Sequence, residues 1–206
     1  MSIVKLNNRG VRSATTFGSI TGLGSMVFIK KLTASSSATL SFVDGTSDVV
    51  LDNTYKEYLF TFNNMHPASD AVNFVFNGSI DSGSNYNVTK TTTFFNVYHS
   101  EDGSQNALTY NASQDLAQST DFQILEDSVG NDNDQSCVGY LHLFNPSSTT
   151  FVKHFISRNH RAFSGDASSE NHVAGYFNTT SAIDAVQFKF SSGNIDAGDI
   201  CLYGIN

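Results

Sequence analysis

The chain has 206 residues, of which 39% are apolar and only 15% charged, with 17 Phe, 8 Tyr and no Trp. A chain of this length buries a core without disulfides or metals, and its evenly spread apolar residues argue against a disordered chain. The net charge of −8 argues against general nucleic-acid binding, which starts from a basic face.

The charge is unevenly placed. The first 43 residues hold Lys5, Arg9, Arg12, Lys30 and Lys31 and no acidic residue, whereas six basic and nineteen acidic residues follow. Residues 1–25 are punctuated by Gly10, Gly18, Gly22 and Gly24, which weaken any helix, and their apolar anchors show no helical stripe. This segment is expected to be an extended attachment arm. Lys5, Arg9, Arg12 and Phe17 are its candidate partner-binding residues, docking on an acidic surface of a neighbouring copy or another protein. Met1 is followed by polar residues rather than an apolar run, so no signal peptide or membrane insertion is expected, and display would come through assembly.

Residues 26–206 read as one β domain. Strand-like runs are expected near 26–32, 38–43, 58–62, 71–77, 86–99, 121–125, 138–144, 149–156, 173–178, 185–190 and 199–205. Period-two alternation groups Tyr58, Phe60 and Phe62 on one face, as it does Val72, Phe74 and Phe76, and Val186, Phe188 and Phe190. One apolar face per strand is what two packed antiparallel sheets require. The expected fold is all-β, an antiparallel jelly-roll-like β-sandwich. A short helical turn is expected only within 109–118. Cys137 and Cys201 fall on different predicted strands and are expected to be buried free thiols.

An internal echo supports two pseudo-repeated halves. Asp70-Ala-Val-Asn-Phe-Val-Phe76 recurs as Asp184-Ala-Val-Gln-Phe-Lys-Phe190, and both copies lead to an Ile-Asp-x-Gly turn, at 80–83 and 195–198. Upstream, 32–40 and 144–151 read as Ser-rich hairpin turns between apolar strands. Two halves with the same order of elements suit a jelly roll built from two Greek keys.

Chemistry-bearing sets are sparse. The acidic loop 127–134 offers the oxygen ligands calcium prefers but lacks the spacing of a helix–loop–helix site, so it reads as a solvated turn. His142 and His154 would face each other across a hairpin, but two imidazoles without further ligands do not make a zinc site. Only four Glu residues occur and no two are marked as a glycosidase pair. No nucleophile elbow or phosphate loop is present. No catalytic residue, cofactor or metal is expected. Three polar stretches, 100–105, 126–136 and 158–171, read as long recognition loops, with Tyr98, His99, Tyr110, Arg158, His160, Arg161 and Phe163 in or near them. Aromatic and Arg anchors among small hydrogen-bonding residues build adaptable contact surfaces.

Segments 1–13, 32–44, 82–92, 140–155 and 175–205 together resemble virion structural proteins of marine tailed phages, cyanophages among them. The resemblance covers most of the chain. It implies a place in the virion, as a tail- or fibre-associated module or a capsid decoration protein, among other virion proteins. It also implies a homotrimer, with a host surface glycan or receptor as a possible ligand. It brings no catalytic or ligand residues to carry over. A free carbohydrate-binding protein is the reading from another class.

Overall fold

The computed structural model describes residues 26–163 and 165–206. The expected arm, with Lys5, Arg9, Arg12 and Phe17, lies outside the described residues.

The described chain is all strand and turn. In chain order the strands are β1 (Met26–Thr33), β2 (Leu40–Val43), β3 (Glu57–Pro67), β4 (Val72–Ser79), β5 (Lys90–Ser100) and β6 (Asn106–Tyr110). There follow β7 (Gln123–Val129), β8 (Cys137–Phe144), β9 (Lys153–Phe163), β10 (Ala167–Phe177), β11 (Ala185–Phe190) and β12 (Ile195–Ile205). Every pairing is antiparallel. One run reads β1-β12-β3-β8-β9-β10-β5-β6 and a second reads β2-β11-β4-β7. A single bridge, Val129 to Phe163, joins β7 to β9 and makes one twelve-stranded sheet, nearly barrel-shaped.

Alternation decides which side chains fill the interior. Tyr58, Phe60 and Phe62 of β3 are buried, whereas Leu59 and Thr61 between them are only partly covered. Rings from both runs meet inside. Phe188 of β11 lies 5.3 Å from Phe60, 5.2 Å from Phe62 and 6.3 Å from Phe42, and it stacks at 6.0 and 6.1 Å on Phe74 and Phe76. Phe76 in turn meets Phe155 at 4.9 Å and Phe177 at 5.9 Å. Edge-on and offset rings at these distances add to the stabilisation from burial alone. Cys137 and Cys201 are free and buried, and burial pushes the Cys137 thiol well above its ordinary pKa.

Several expectations change. Residues 109–118 hold no helical turn: Thr109 and Tyr110 end β6, a strand not anticipated, and a turn follows. There Asn111 Oδ1 accepts from the Ser113 hydroxyl at 2.7 Å, a local bond that competes with helix. Segment 32–40 is not a hairpin, because β1 pairs with β12 while β2 pairs with β11; only 144–151 connects paired neighbours. The echoed strands β4 and β11 lie side by side, with Phe76 opposite Phe188 and Phe74 opposite Phe190. Their sequels differ. Residues 80–83 form a turn, but Ile195 to Gly198 lie inside β12, where the register against β3 slips twice. Gly198 has φ +121°, and a Cβ there would sit 2.7 Å from the Asn64 carbonyl oxygen, so the slip requires glycine.

Candidate functional site

The most informative correction concerns residues 158–171. They are not a loop but most of the hairpin β9–β10, paired residue for residue from Lys153–Phe177 to Phe163–Ala167, with Asp166 at φ +54° in its tight turn. Their polarity misled because the inner face of this hairpin changes character along its length. Near the core it presents Phe155, Val173 and Phe177. Further out it presents Ser157, Asn159, Arg161, Ser169 and Asn171, all buried.

These side chains close on a charged cluster. Arg161 is 5% exposed, and its Nη1 donates to Glu126 Oε1 at 2.6 Å and to the Asp127 carboxylate and carbonyl. Asn171 Nδ2 bonds the same two carboxylates at 2.8 and 2.9 Å, and Asn96 Nδ2 bonds Asn171 Oδ1 at 2.6 Å and Ser169 Oγ at 2.8 Å. Gln114 Nε2 reaches Asp127 Oδ2 at 3.0 Å. Burial, reinforced by the Asp127 charge, drives the Glu126 carboxyl well above the usual range despite Arg161. Burial also opposes the Asp127 carboxylate, but Arg161, Gln114 and Asn171 together hold its pKa below the ordinary value. The same cluster therefore shifts the two neighbouring acids in opposite directions. Arg161 Nε and Glu126 Oε2 remain buried without a partner.

Beside the cluster the inner face opens into a cavity of about 310 Å³. Its walls are Asn96, Tyr98 and Ser100 of β5, Arg161 and Phe163 of β9, Ser169 of β10, and Gln105 from the β5–β6 turn. The Arg161 guanidinium lies 4.9 Å from the centre of the Phe163 ring. Amide, hydroxyl and guanidinium groups beside aromatic rings can hold a hydroxyl-rich ring. The rings take its C–H face and the polar groups fix its hydroxyls.

The opposite, outer face of the long run carries its own ordered rows. One row across the strands is Tyr110, Phe95, His172, Arg158, Tyr140, Thr61, Cys201 and Lys31. A second is Leu108, Val97, Glu170, His160 and Val138. A third is Thr93, Ala174, Ile156, His142, Leu59, Tyr203 and Phe28. Leu108, Tyr110 and Ile156 are 73%, 55% and 51% exposed.

The recognition residues anticipated from sequence thus part company. Tyr98, Arg161 and Phe163 line the cavity, whereas His99, Tyr110, Arg158 and His160 lie on the outer face. All seven belong to β5, β6 and β9 rather than to loops. Of the three stretches, 100–105 is the expected turn, while 126–136 begins inside β7. The acidic loop divides accordingly: Asp127 turns inward to Arg161, and Asp132 and Asp134 lie in the following turn. No grouping of three metal-capable side chains occurs among the described residues. His142 is directly opposite Ile156, two positions along from His154, and its Nδ1 meets Glu57. Sequence reasoning missed Glu126, Asn96 and Asn171. The available signal was the period-two spacing of Ser157, Asn159 and Arg161 continuing Phe155 along one face. No protein-family model, curated protein or solved structure matches this chain.

Proposed function

We propose that this chain is a non-catalytic recognition module of a phage virion, tail- or fibre-associated and attached through residues 1–25. Its cavity between β5, β9 and β10 takes a sugar-sized, hydroxyl-rich group of a host surface glycan. The observation that carries the recognition role is the cavity itself, with Arg161 fixed by Glu126 and Asp127 against the Phe163 ring and Tyr98 and Asn96 converging beside it. A site on paired strands with side chains already held is preorganised for binding. The virion setting rests on the sequence resemblance, as does the homotrimeric form.

We read the frame as a jelly-roll sandwich. Support comes from the strand orders β1-β12-β3-β8 and β2-β11-β4-β7, with the chain crossing between them from β1 to β4. On this reading β5–β6 and β9–β10 are hairpins added to one sheet, and they build the cavity.

Saturation-transfer NMR with a panel of neutral mono- and disaccharides tests the site. Binding is expected for at least one sugar and is expected to disappear in Tyr98→Ala and Phe163→Ala proteins that keep the parent circular dichroism. A blank panel, or binding indifferent to both substitutions, overturns it. A capsid decoration protein is the second reading, favoured by the basic residues 1–43 on an acidic body. Locating the chain in purified particles separates the two: tail density supports the first and capsid-face density the second.

A further inference from the structure

The outer face of the long run is not used by the cavity, and its composition is unusual. The chain has six histidines, and five of them, His99, His142, His154, His160 and His172, project from this one face. They stand among Phe95, Val97, Leu108, Tyr110, Val138, Tyr140 and Ile156, which make up most of the exposed large apolar side chains of the described residues. We propose that copies of this chain meet through this face and that its histidines loosen the contact on acidification.

Size and charge both favour a second copy as occupant. The paired register places about thirty residues on the outer side. At strand spacings of about 4.8 Å and same-face steps of about 6.8 Å they cover roughly 1,000 Å², against about 800 Å² per partner in a standard interface. The exposed apolar side chains of this face are grouped rather than scattered singly, as at contact surfaces. The permanent charges on the face are nearly balanced, with Glu57, Glu170 and Asp199 against Arg158 and Lys31. A balanced, aromatic-rich face selects neither a polyanion nor a strongly acidic protein and suits a copy of itself.

The five imidazoles differ in their surroundings. His172 stacks on Phe95 at 4.6 Å and contacts Glu170 Oε1 at 3.0 Å, while Arg158 lies opposite and also bonds Glu170. His142 meets Glu57 and lies between the Tyr140 and Phe144 rings. His160 Nε2 is 2.9 Å from Ser168 Oγ, with Val138 and Glu170 across from it. His154 lies 6.1 Å from the Tyr176 ring, and His99 is flanked by Ser168 and Asn106. Two imidazoles therefore have carboxylate partners, and three make no ion pair among the described residues. A protonated imidazole carries a positive charge, so acidification adds like charges to both sides of a contact that excludes water.

Sedimentation velocity of the full chain at pH 8 and pH 5.5 provides the test. An oligomer is expected at pH 8, with its dissociation constant raised roughly tenfold or more at pH 5.5. Ile156→Glu and Leu108→Glu are expected to give monomers at both values. The triple variant His99→Gln, His154→Gln, His160→Gln is expected to keep the oligomer and lose most of the pH dependence. Circular dichroism and thermal melting check that each variant is folded. A folded monomer at pH 8, an oligomer unaffected by Ile156→Glu, or a pH response unchanged in the triple variant each overturns the proposal. None of these outcomes bears on the cavity, which faces the other side of the sheet.

Discussion

Strands β5, β9 and β10 are buried along much of one face, yet their two ends are built on opposite terms. At the core end Phe94, Phe155, Val173 and Phe177 are buried, and Phe155 and Phe177 meet the Phe76 ring of β4. At the far end Arg161 and Asn171 bond Glu126 and Asp127, and Asn96 links Asn171 to Ser169. Rings stabilise in proportion to the area they bury and make few demands on orientation. A buried charged cluster must recover a large desolvation cost through geometry, and it often contributes little net stability while fixing its members tightly. The difference separates two tasks within the same strands. The ring end holds the sheet together, and the polar end holds a shaped cavity open beside it.

Phe188→Ala removes the ring that five others touch and is expected to cost about 3–5 kcal/mol in urea unfolding. Arg161→Ala is expected to cost a similar ~3–5 kcal/mol because it leaves Glu126 and Asp127 buried without their cation. The ends should then separate under compensation. Neutralising the cluster together, as Arg161→Met with Glu126→Gln and Asp127→Asn, is expected to restore most of that loss, whereas no polar substitution rescues Phe188→Ala. If the triple variant stays as unstable as Arg161→Ala, the polar end contributes stability and the division of tasks fails.

A pH dependence tests the apolar end separately. Lys90 is fully buried inside β5, with Nζ bonded to the Asp121 carbonyl and 5.8 Å from the centre of the Phe177 ring. Burial, only partly offset by Asp121, lowers its pKa to about 7. Between about pH 7 and the ordinary lysine value, the unfolded chain binds a proton that the folded chain does not. Stability should therefore rise with pH across that window and be lowest below it, where the buried ammonium is charged. Lys90→Met is expected to remove that penalty, raising stability at pH 8 and flattening the rise, and to leave the weaker contribution of Lys153, whose pKa is also lowered by burial. Thermal melts from pH 6 to 10 on parent and variant read this directly.

Much of the frame was legible because alternation has only one meaning when the residues are Tyr58, Phe60 and Phe62 or Val186, Phe188 and Phe190. The site was less so. Tyr98, Arg161 and Phe163 stood out as anchors, but in a polar stretch that reads as loop. A strand whose buried side faces a charged cluster is as polar as a turn. Glu126 gave no signal, since a carboxylate just after a short apolar run is ordinary until an arginine 35 positions later is known to reach it.

The amino-acid sequence by itself determined the all-β character and the side on which each apolar strand is buried, because both follow from a two-residue period carried by neighbouring side chains. Only the tertiary structure decided that β5, β9 and β10 would share a polar inner end and gather five histidines on their outer side and that of β8. Those groupings depend on the register between strands distant in sequence, and register is set by pairing and not by any one strand alone.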